Sequence, residues 1–135
     1  MGRVAKQVII FDDETGEIIR DSVNRGTQNG DGWVIVYRDT YALLNKIAPP
    51  SALRIFNELM TKQEYEGGIK TTKKAVANAL DISEPQSWRA FKWLKERGYL
   101  KERKINGQTE FLLNPHVTTC GKNRDDKIVL WESID

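Results

Sequence analysis

Between residues 39 and 60 the apolar positions recur every three or four residues, which is the spacing of a helix face turned toward a core. Pro49-Pro50 interrupts this pattern, so it predicts two short helices rather than one. Asp39 or Thr40 would cap the first helix and Ser51 the second. The expected core positions are Tyr41, Leu43, Leu44 and Ile47 in the first helix, and Leu53, Phe56, Leu59 and Met60 in the second.

Other apolar runs are too short for helices and predict strands. Residues 4–11 and Ile18-Ile19 flank the turn-forming residues 12–17, which indicates an N-terminal β-hairpin. Residues 24–32 are polar and rich in glycine, so we expect a linker there. Further predicted strands are Trp33–Arg38 and, after a loop over His116–Arg124, a final strand Lys127–Trp131.

The segment 71–111 has the order of signals that predicts two helices joined by a tight turn. Thr71 or Thr72 can cap the first helix, and Val76 and Leu80 lie four residues apart on its buried face. Ser83 with Gln86 three residues later has the Ser-x-x-Gln pattern of a capping box. This arrangement predicts a second helix that begins directly after residue 83.

Glycines mark the end of that second helix and the hairpin that follows. Gly98 stands where a helix usually ends in a left-handed residue. Asn106-Gly107 between two apolar runs is a strong signal for a two-residue β-turn. Asn114-Pro115 would close the hairpin, and Ile69-Lys70 would add a short strand to it.

Two helices across a tight turn, followed by a hairpin, predict a winged helix-turn-helix. The fold class is therefore α+β, with additional N-terminal and C-terminal β-strands. We divide the chain into residues 1–32, an N-terminal hairpin extension and mobile loop, and residues 33–135, a winged-helix DNA-binding domain with flanking strands. The second helix would enter the major groove of double-stranded DNA.

A helical projection separates two faces of that recognition helix. Ser87, Phe91 and Leu94 form the predicted buried face, with Ala90 at its border. The opposite strip contains Gln86, Arg89, Lys92 and Trp93. Arginine can bond guanine and glutamine can bond adenine through two hydrogen bonds each, whereas lysine mainly attracts phosphate. Trp88 is expected to pack against the preceding helix, and Trp93 either contacts DNA or covers the base of the wing.

Basic charge concentrates in the same segment, although the net charge of the chain is only +2. Residues 70–104 contain ten basic and four acidic residues, which is the charge pattern of a phosphate-binding surface. The expected DNA-binding residues are Lys73, Lys74, Gln86, Arg89, Lys92, Trp93, Lys101, Arg103, Lys104 and Asn106.

Composition argues against several other classes. Cys120 is the single cysteine, so an internal disulfide is excluded and a reducing cytoplasm is expected. His116 is the single histidine, which leaves too few ligands for a zinc site. The spacing of the glycines in residues 24–32 fits neither a Walker phosphate-binding loop nor a dinucleotide-binding fingerprint. We expect no membrane span, no metal, no cofactor and no small-molecule substrate.

The sequence also resembles a known family. The helical segment of Val76-Ala77, Leu80, Ile82-Ser83, Arg89, Leu94 and Gly98–Leu100 resembles the winged helix of many bacterial regulators. A more particular resemblance is to the RepL-type replication proteins of bacterial plasmids. It is carried by Gly107 with Phe111–Pro115, by residues 13–17, and by Trp33–Arg38 and Ile128–Glu132. That resemblance implies binding to a plasmid origin and a role in replication initiation or copy control. Asp81 departs from the pattern, because many related turns carry glycine there.

Other functions fit the same motif. A winged-helix transcriptional regulator and an accessory DNA-binding protein of plasmid transfer are the alternatives, and a protein-interaction module is a third. A nicking enzyme would need a tyrosine nucleophile, for which Tyr37, Tyr41, Tyr65 and Tyr99 are available, but one histidine cannot supply a histidine pair for the metal. We therefore expect no enzyme. The Trp33–Arg38 and Lys127–Trp131 strands either pair with each other or leave apolar sheet surface. The second case predicts a symmetric homodimer on inverted half-sites, with those segments or the N-terminal hairpin at the contact.

Overall fold

The computed structural model describes residues 7–11, 18–22, 33–64, 68–120 and 124–134, which form an α+β fold. The elements of the first half are β1 (Gln7–Phe11), β2 (Ile18–Ser22), β3 (Trp33–Tyr37), α1 (Arg38–Ile47), α2 (Pro50–Met60) and β4 (Ile69–Lys70). Those of the second half are α3 (Lys73–Leu80), α4 (Glu84–Glu96), β5 (Leu100–Ile105), β6 (Gln108–Leu113), β7 (Thr118–Cys120) and α5 (Arg124–Glu132).

The first sheet joins the N-terminal hairpin to the rest of the chain. Its strand order is β2-β1-β3-β7, in which β1 runs antiparallel to β2 and parallel to β3. The hairpin and the β3 strand are therefore confirmed, whereas its turn and the predicted linker lie outside the described residues. The chain division at residue 32 stays a prediction, and the β1–β3 pairing places strands from both predicted parts in one sheet.

The second sheet has the order β4-β6-β5 and is antiparallel throughout. One hydrophobic core connects it to the helices. Phe91 of α4 packs on Phe111 of β6 with ring centroids 4.9 Å apart. Phe56 of α2 meets the edge of Tyr99 at 6.4 Å. Val34 and Val36 of β3 belong to the same core cluster.

The predicted C-terminal strand is wrong, because Lys127–Trp131 lies within the helix α5. A short apolar run fits either a strand or a helix, and tertiary contacts decide between them. Trp131 is buried, and Asp125 and Asp126 occupy the first turn of the helix, where negative charge is favourable. Lys101 of β5 donates hydrogen bonds to the carbonyl oxygens of Trp131 at 2.7 Å and Ile134 at 2.6 Å.

On the side of β3 opposite β1, the paired strand is β7, which lies in a segment predicted to be a loop. Hydropathy does not reveal this strand because it contains two buried threonines. Thr118 Oγ1 donates to the carbonyl oxygen of Ile35 at 2.8 Å, and Thr119 Oγ1 lies 3.1 Å from the Tyr37 hydroxyl. Since these hydroxyl groups are hydrogen-bonded, their burial is tolerated.

The first two helices begin earlier than predicted. Tyr37 and Pro49 are the N-cap residues of α1 and α2, so Asp39, Thr40 and Ser51 lie inside the first turns. Pro50 suits the first helical position because its missing N–H has no helical partner there. The core prediction holds for Leu44 and the apolar residues of α2, with Leu53 and Tyr41 partly buried. Leu43 and Ile47 are 52% and 40% exposed, so their assignment to the core is wrong.

The contact between β5 and α5 gives a first prediction. Lys101→Met keeps an apolar stem but removes both hydrogen bonds to the end of α5, where a cation is worth about 1 kcal/mol. Amide hydrogen exchange in α5 should therefore become about fivefold faster, with little change in α2. Lys62→Met, on exposed surface at the end of α2, is the control. Unchanged exchange in α5 would contradict this role of Lys101.

Candidate nucleic-acid interface

The helix α3 and the turn after it have the predicted local chemistry. Thr72 is the N-cap, and its Oγ1 accepts a hydrogen bond from the Ala75 N–H at 3.0 Å. Asp81 closes the helix in the left-handed conformation with φ 57°, which aspartate adopts more readily than most residues. The N–H of Ile82 then reaches the carbonyl oxygen of Ala77 at 3.0 Å, and this bond fixes the direction of the turn.

The helix α4 begins and ends where the sequence predicts. Ser83 Oγ accepts a hydrogen bond from the Gln86 N–H at 3.2 Å, and Pro85 occupies the first turn. At the other end Gly98 has φ 79°. The N–H of Tyr99 bonds to the carbonyl oxygen of Leu94 at 2.9 Å. This is a Schellman motif, and it redirects the chain into β5.

The hairpin β5–β6 turns through the two residues predicted for it. Asn106 and Gly107 have φ 53° and 80°, and positive φ at both central positions defines a type I′ turn. Residues 104–108 are exposed, so the tip of the hairpin projects into solvent. The short strand β4 pairs with β6 as expected.

The structure confirms the buried face of α4. Ser87, Ala90, Phe91 and Leu94 are each at most 3% exposed. The Ser87 hydroxyl donates to the carbonyl oxygen of Lys73 at 3.0 Å, which ties α4 to the start of α3. Arg89 and Lys92 are exposed and Gln86 is half-buried. Of the predicted outward strip of α4, Arg89 and Lys92 therefore face solvent, whereas Gln86 and Trp93 are half-buried.

The structure favours one of the two alternatives for Trp93 and leaves Trp88 more exposed than expected. Trp93 is half-buried and stacks on Tyr99 with ring centroids 6.0 Å apart and an interplanar angle of 5°, which favours its role as a cover over the base of the hairpin. Trp88 touches the preceding helix through the Lys73 ammonium group, 4.3 Å from the ring centroid. Its side chain is nevertheless 58% exposed, so it is not a core residue.

Several of the predicted DNA-binding cations already have intramolecular partners. Glu102 Oε1 lies 3.0 Å from Lys95 Nζ and 3.7 Å from Lys73 Nζ. Burial alone would raise the pKa of Glu102, but the hydrogen bond from Lys95 and the positive charges of Lys73 and Lys95 outweigh it and lower that pKa. Glu102 thus stays ionised and offsets part of the basic charge.

The strands of the hairpin hold two more of these cations. Arg103 Nη2 lies 3.1 Å from Oε1 of the buried Glu110, which also accepts from the Gly68 N–H at 3.2 Å. Lys101 is held by the end of α5. Within the described part of the chain, the cations that are exposed and have no ion pair include Lys74 and Arg89 on the helices and Lys104 on the hairpin.

Catalytic groups are not brought together in the residues that the structure describes. The Tyr37 hydroxyl bonds to Thr119, the Tyr41 hydroxyl donates to Asn57 Oδ1 at 2.8 Å, and Tyr99 is buried. Tyr65 lies outside the described residues. Over the same ranges no group of three or more histidine, cysteine, aspartate or glutamate residues could hold a metal ion. Nor is any described helix long and apolar enough to cross a membrane.

No protein-family model, curated protein or solved structure matches the chain at a significant level.

The Glu102 cluster predicts a dependence of stability on pH. The lowered pKa means that ionised Glu102 stabilises the fold above its ordinary value of 4.5, and that this contribution is lost as the pH falls through the folded-state pKa. Glu102→Gln should lower the free energy of unfolding by about 1 kcal/mol or less near neutral pH.

Urea unfolding across a pH series measures this difference. It should vanish as the solution is acidified below 4.5 and past the lowered pKa. Glu64→Gln, which removes an exposed carboxylate outside the cluster, is the matched control. A difference between Glu102→Gln and the parent that grew on acidification would contradict the assignment.

Proposed function

We propose that this protein is a winged-helix protein that binds double-stranded DNA and recognises its sequence. In this proposal α3 and α4 form the helix-turn-helix, α4 enters the major groove, and β4, β5 and β6 form the wing. The order of these elements and the antiparallel three-stranded sheet support the proposal. The positive-φ turn at the exposed tip of the hairpin supports a wing that reaches the DNA backbone.

One observation carries the proposal. Arg89 and Lys92 stand on the exposed face of α4, opposite the face that Phe91 and Leu94 bury in the core. Lys92 lies 4.0 Å from Glu96, but both side chains are more than 60% exposed, so that pair is weak. A helix with its apolar face anchored and its basic face in solvent has the form needed to enter the major groove.

The other predicted contacts fall into two groups. Lys74, Gln86, Lys104 and Asn106 are accessible or partly accessible and keep their proposed roles at the DNA. Lys73, Lys101, Arg103 and Trp93 have intramolecular partners, so contact with DNA would require sharing or exchanging them. We therefore assign most of the wing's phosphate contact to Lys104.

The resemblance to RepL-type proteins supports a role in plasmid replication initiation or copy control. A winged-helix regulator and a plasmid-transfer accessory protein share the proposed interface, and the position of bound sites distinguishes the three. Sites in an origin indicate replication, sites at a promoter indicate regulation, and sites at a transfer locus indicate transfer. In this proposal the protein acts in the cytoplasm, needs no cofactor and is not an enzyme.

A symmetric homodimer on inverted half-sites stays a prediction, but its original reason no longer applies. The β3 strand lies between β1 and β7 rather than at a sheet edge. The segment Lys127–Trp131 belongs to a helix and provides no sheet surface.

The proposal predicts that affinity for duplex DNA falls steeply as salt rises, because each neutralised phosphate releases condensed counterions. Fluorescence anisotropy with a labelled duplex, titrated at several salt concentrations, measures the slope of log affinity against log salt. Equal affinity at low and physiological salt would contradict the proposal. It would favour an interaction module that binds protein.

A second prediction separates base recognition from attraction to phosphate. If Arg89 bonds a guanine, Arg89→Ala should weaken binding by about 1–3 kcal/mol and relax the preference at one base position. Lys92→Ala, three residues further along the same exposed face, is the matched control. It should weaken binding to all sequences and leave the preferred sequence unchanged.

Selection of bound sequences from a random duplex pool, carried out for the parent and both variants, makes the comparison. An Arg89→Ala variant that selects the parent's sequence with the parent's affinity would show that α4 is not the recognition helix.

A further inference from the structure

Trp88 is an aromatic residue of α4 whose side chain is not packed in the hydrophobic core. It is 58% exposed, whereas Phe91 is fully buried and Trp93 is half-buried. Burying an indole is strongly favourable, so an isolated domain gains little from leaving one in solvent. Its position on the proposed recognition helix makes it a candidate contact.

A basic side chain lies against the ring, and an acidic one, Glu84, stands one helical turn before it on α4. The ammonium group of Lys73 lies 4.3 Å from the ring centroid, and Lys92 stands one helical turn further along α4. In the part of the chain that the structure describes, no group accepts a hydrogen bond from the indole N–H. The site therefore combines an unused donor with neighbouring positive charge, which suits an anionic oxygen atom.

Helix geometry indicates which part of the DNA would meet this site. Trp88 is displaced by about 100° from Arg89 around the helix axis. It is displaced toward α3, since Lys73 of that helix contacts its ring. When Arg89 faces the base edges, Trp88 faces the wall of the groove, where the sugar–phosphate backbone runs.

We infer that Trp88 donates its indole N–H to a backbone phosphate at the edge of the major groove, with Lys73 beside the same phosphate. In the free protein Lys73 lies against the Trp88 ring and 3.7 Å from Glu102. In the proposed complex it would share its charge between Glu102 and the phosphate. This inference rests on the proposed function. It changes the assignment of the two tryptophans, because Trp88 rather than Trp93 would contact the DNA.

The test compares variants on the duplex that the parent selects. Trp88→Phe keeps an aromatic ring but removes the N–H, and it should weaken binding roughly three- to tenfold with the salt dependence unchanged. Lys73→Gln should also weaken binding, and it should reduce the salt slope by about one phosphate. Trp131→Phe, the same substitution in α5, should bind as the parent does. Melting temperatures of all variants verify that they are folded.

A scan with single methylphosphonate substitutions locates the contact. At one backbone position the parent should lose more affinity than Trp88→Phe does, because the variant retains only the attraction of Lys73 to that phosphate. If Trp88→Phe binds normally and only Trp88→Ala is weakened, the ring contacts a base or sugar and the phosphate assignment is overturned. If Trp88→Phe and Trp88→Ala both bind normally while Arg89→Ala is impaired, Trp88 serves another partner. This inference then fails, while the proposed function stands. A parent without salt-dependent binding would remove the proposed function as well.

Discussion

The packing of Phe91 on Phe111 is the interaction on which the proposed interface depends. Both rings are fully buried, and their centroids lie 4.9 Å apart. One ring comes from α4 and the other from β6, so this contact fixes the long helix against the hairpin. Since a helix has only one buried face here, anchoring Phe91 and Leu94 turns Arg89 to solvent. The orientation of the proposed recognition helix thus follows from the core.

Acidic residues near the core neutralise part of the positive charge of the proposed interface. Glu102 engages Lys73 and Lys95, and the buried Glu110 engages Arg103. These pairs help to hold β5 against α3, α4 and β6, and they reduce the free charge at the sides of the site. Exposed cations without an ion pair remain on the helices and at the tip of the hairpin. The basic block of the sequence is therefore partly structural and partly available to a phosphate backbone.

Local chemistry made much of the central region predictable. Ser83, Gly98 and Asn106-Gly107 each meet a backbone requirement, a cap or a positive φ, that few residues satisfy. The C-terminal segment lacked such signals. Lys101, some thirty residues upstream, donates a hydrogen bond to the end of the helix that contains Lys127–Trp131, and a short apolar run does not reveal such a tertiary contact. Hydropathy did not reveal the β7 strand because its buried residues include threonines, whose burial is tolerated by hydrogen bonds. Residue type and spacing left Trp93 open between DNA contact and a cover over the wing base, and its stacking on Tyr99 favours the cover. Trp88 was expected to pack against the preceding helix, but its ring is 58% exposed and meets the Lys73 ammonium group there.

Amide chemical-shift mapping during titration with the selected duplex tests the proposed interface most directly. The largest changes should fall in the first half of α4, around Gln86 to Lys92, and at residues 104–108 of the hairpin tip. Residues of α1 and α5 should change little. Changes concentrated at the exposed Leu43 and Ile47 of α1, with α4 unaffected, would contradict α4 as the helix that enters the DNA.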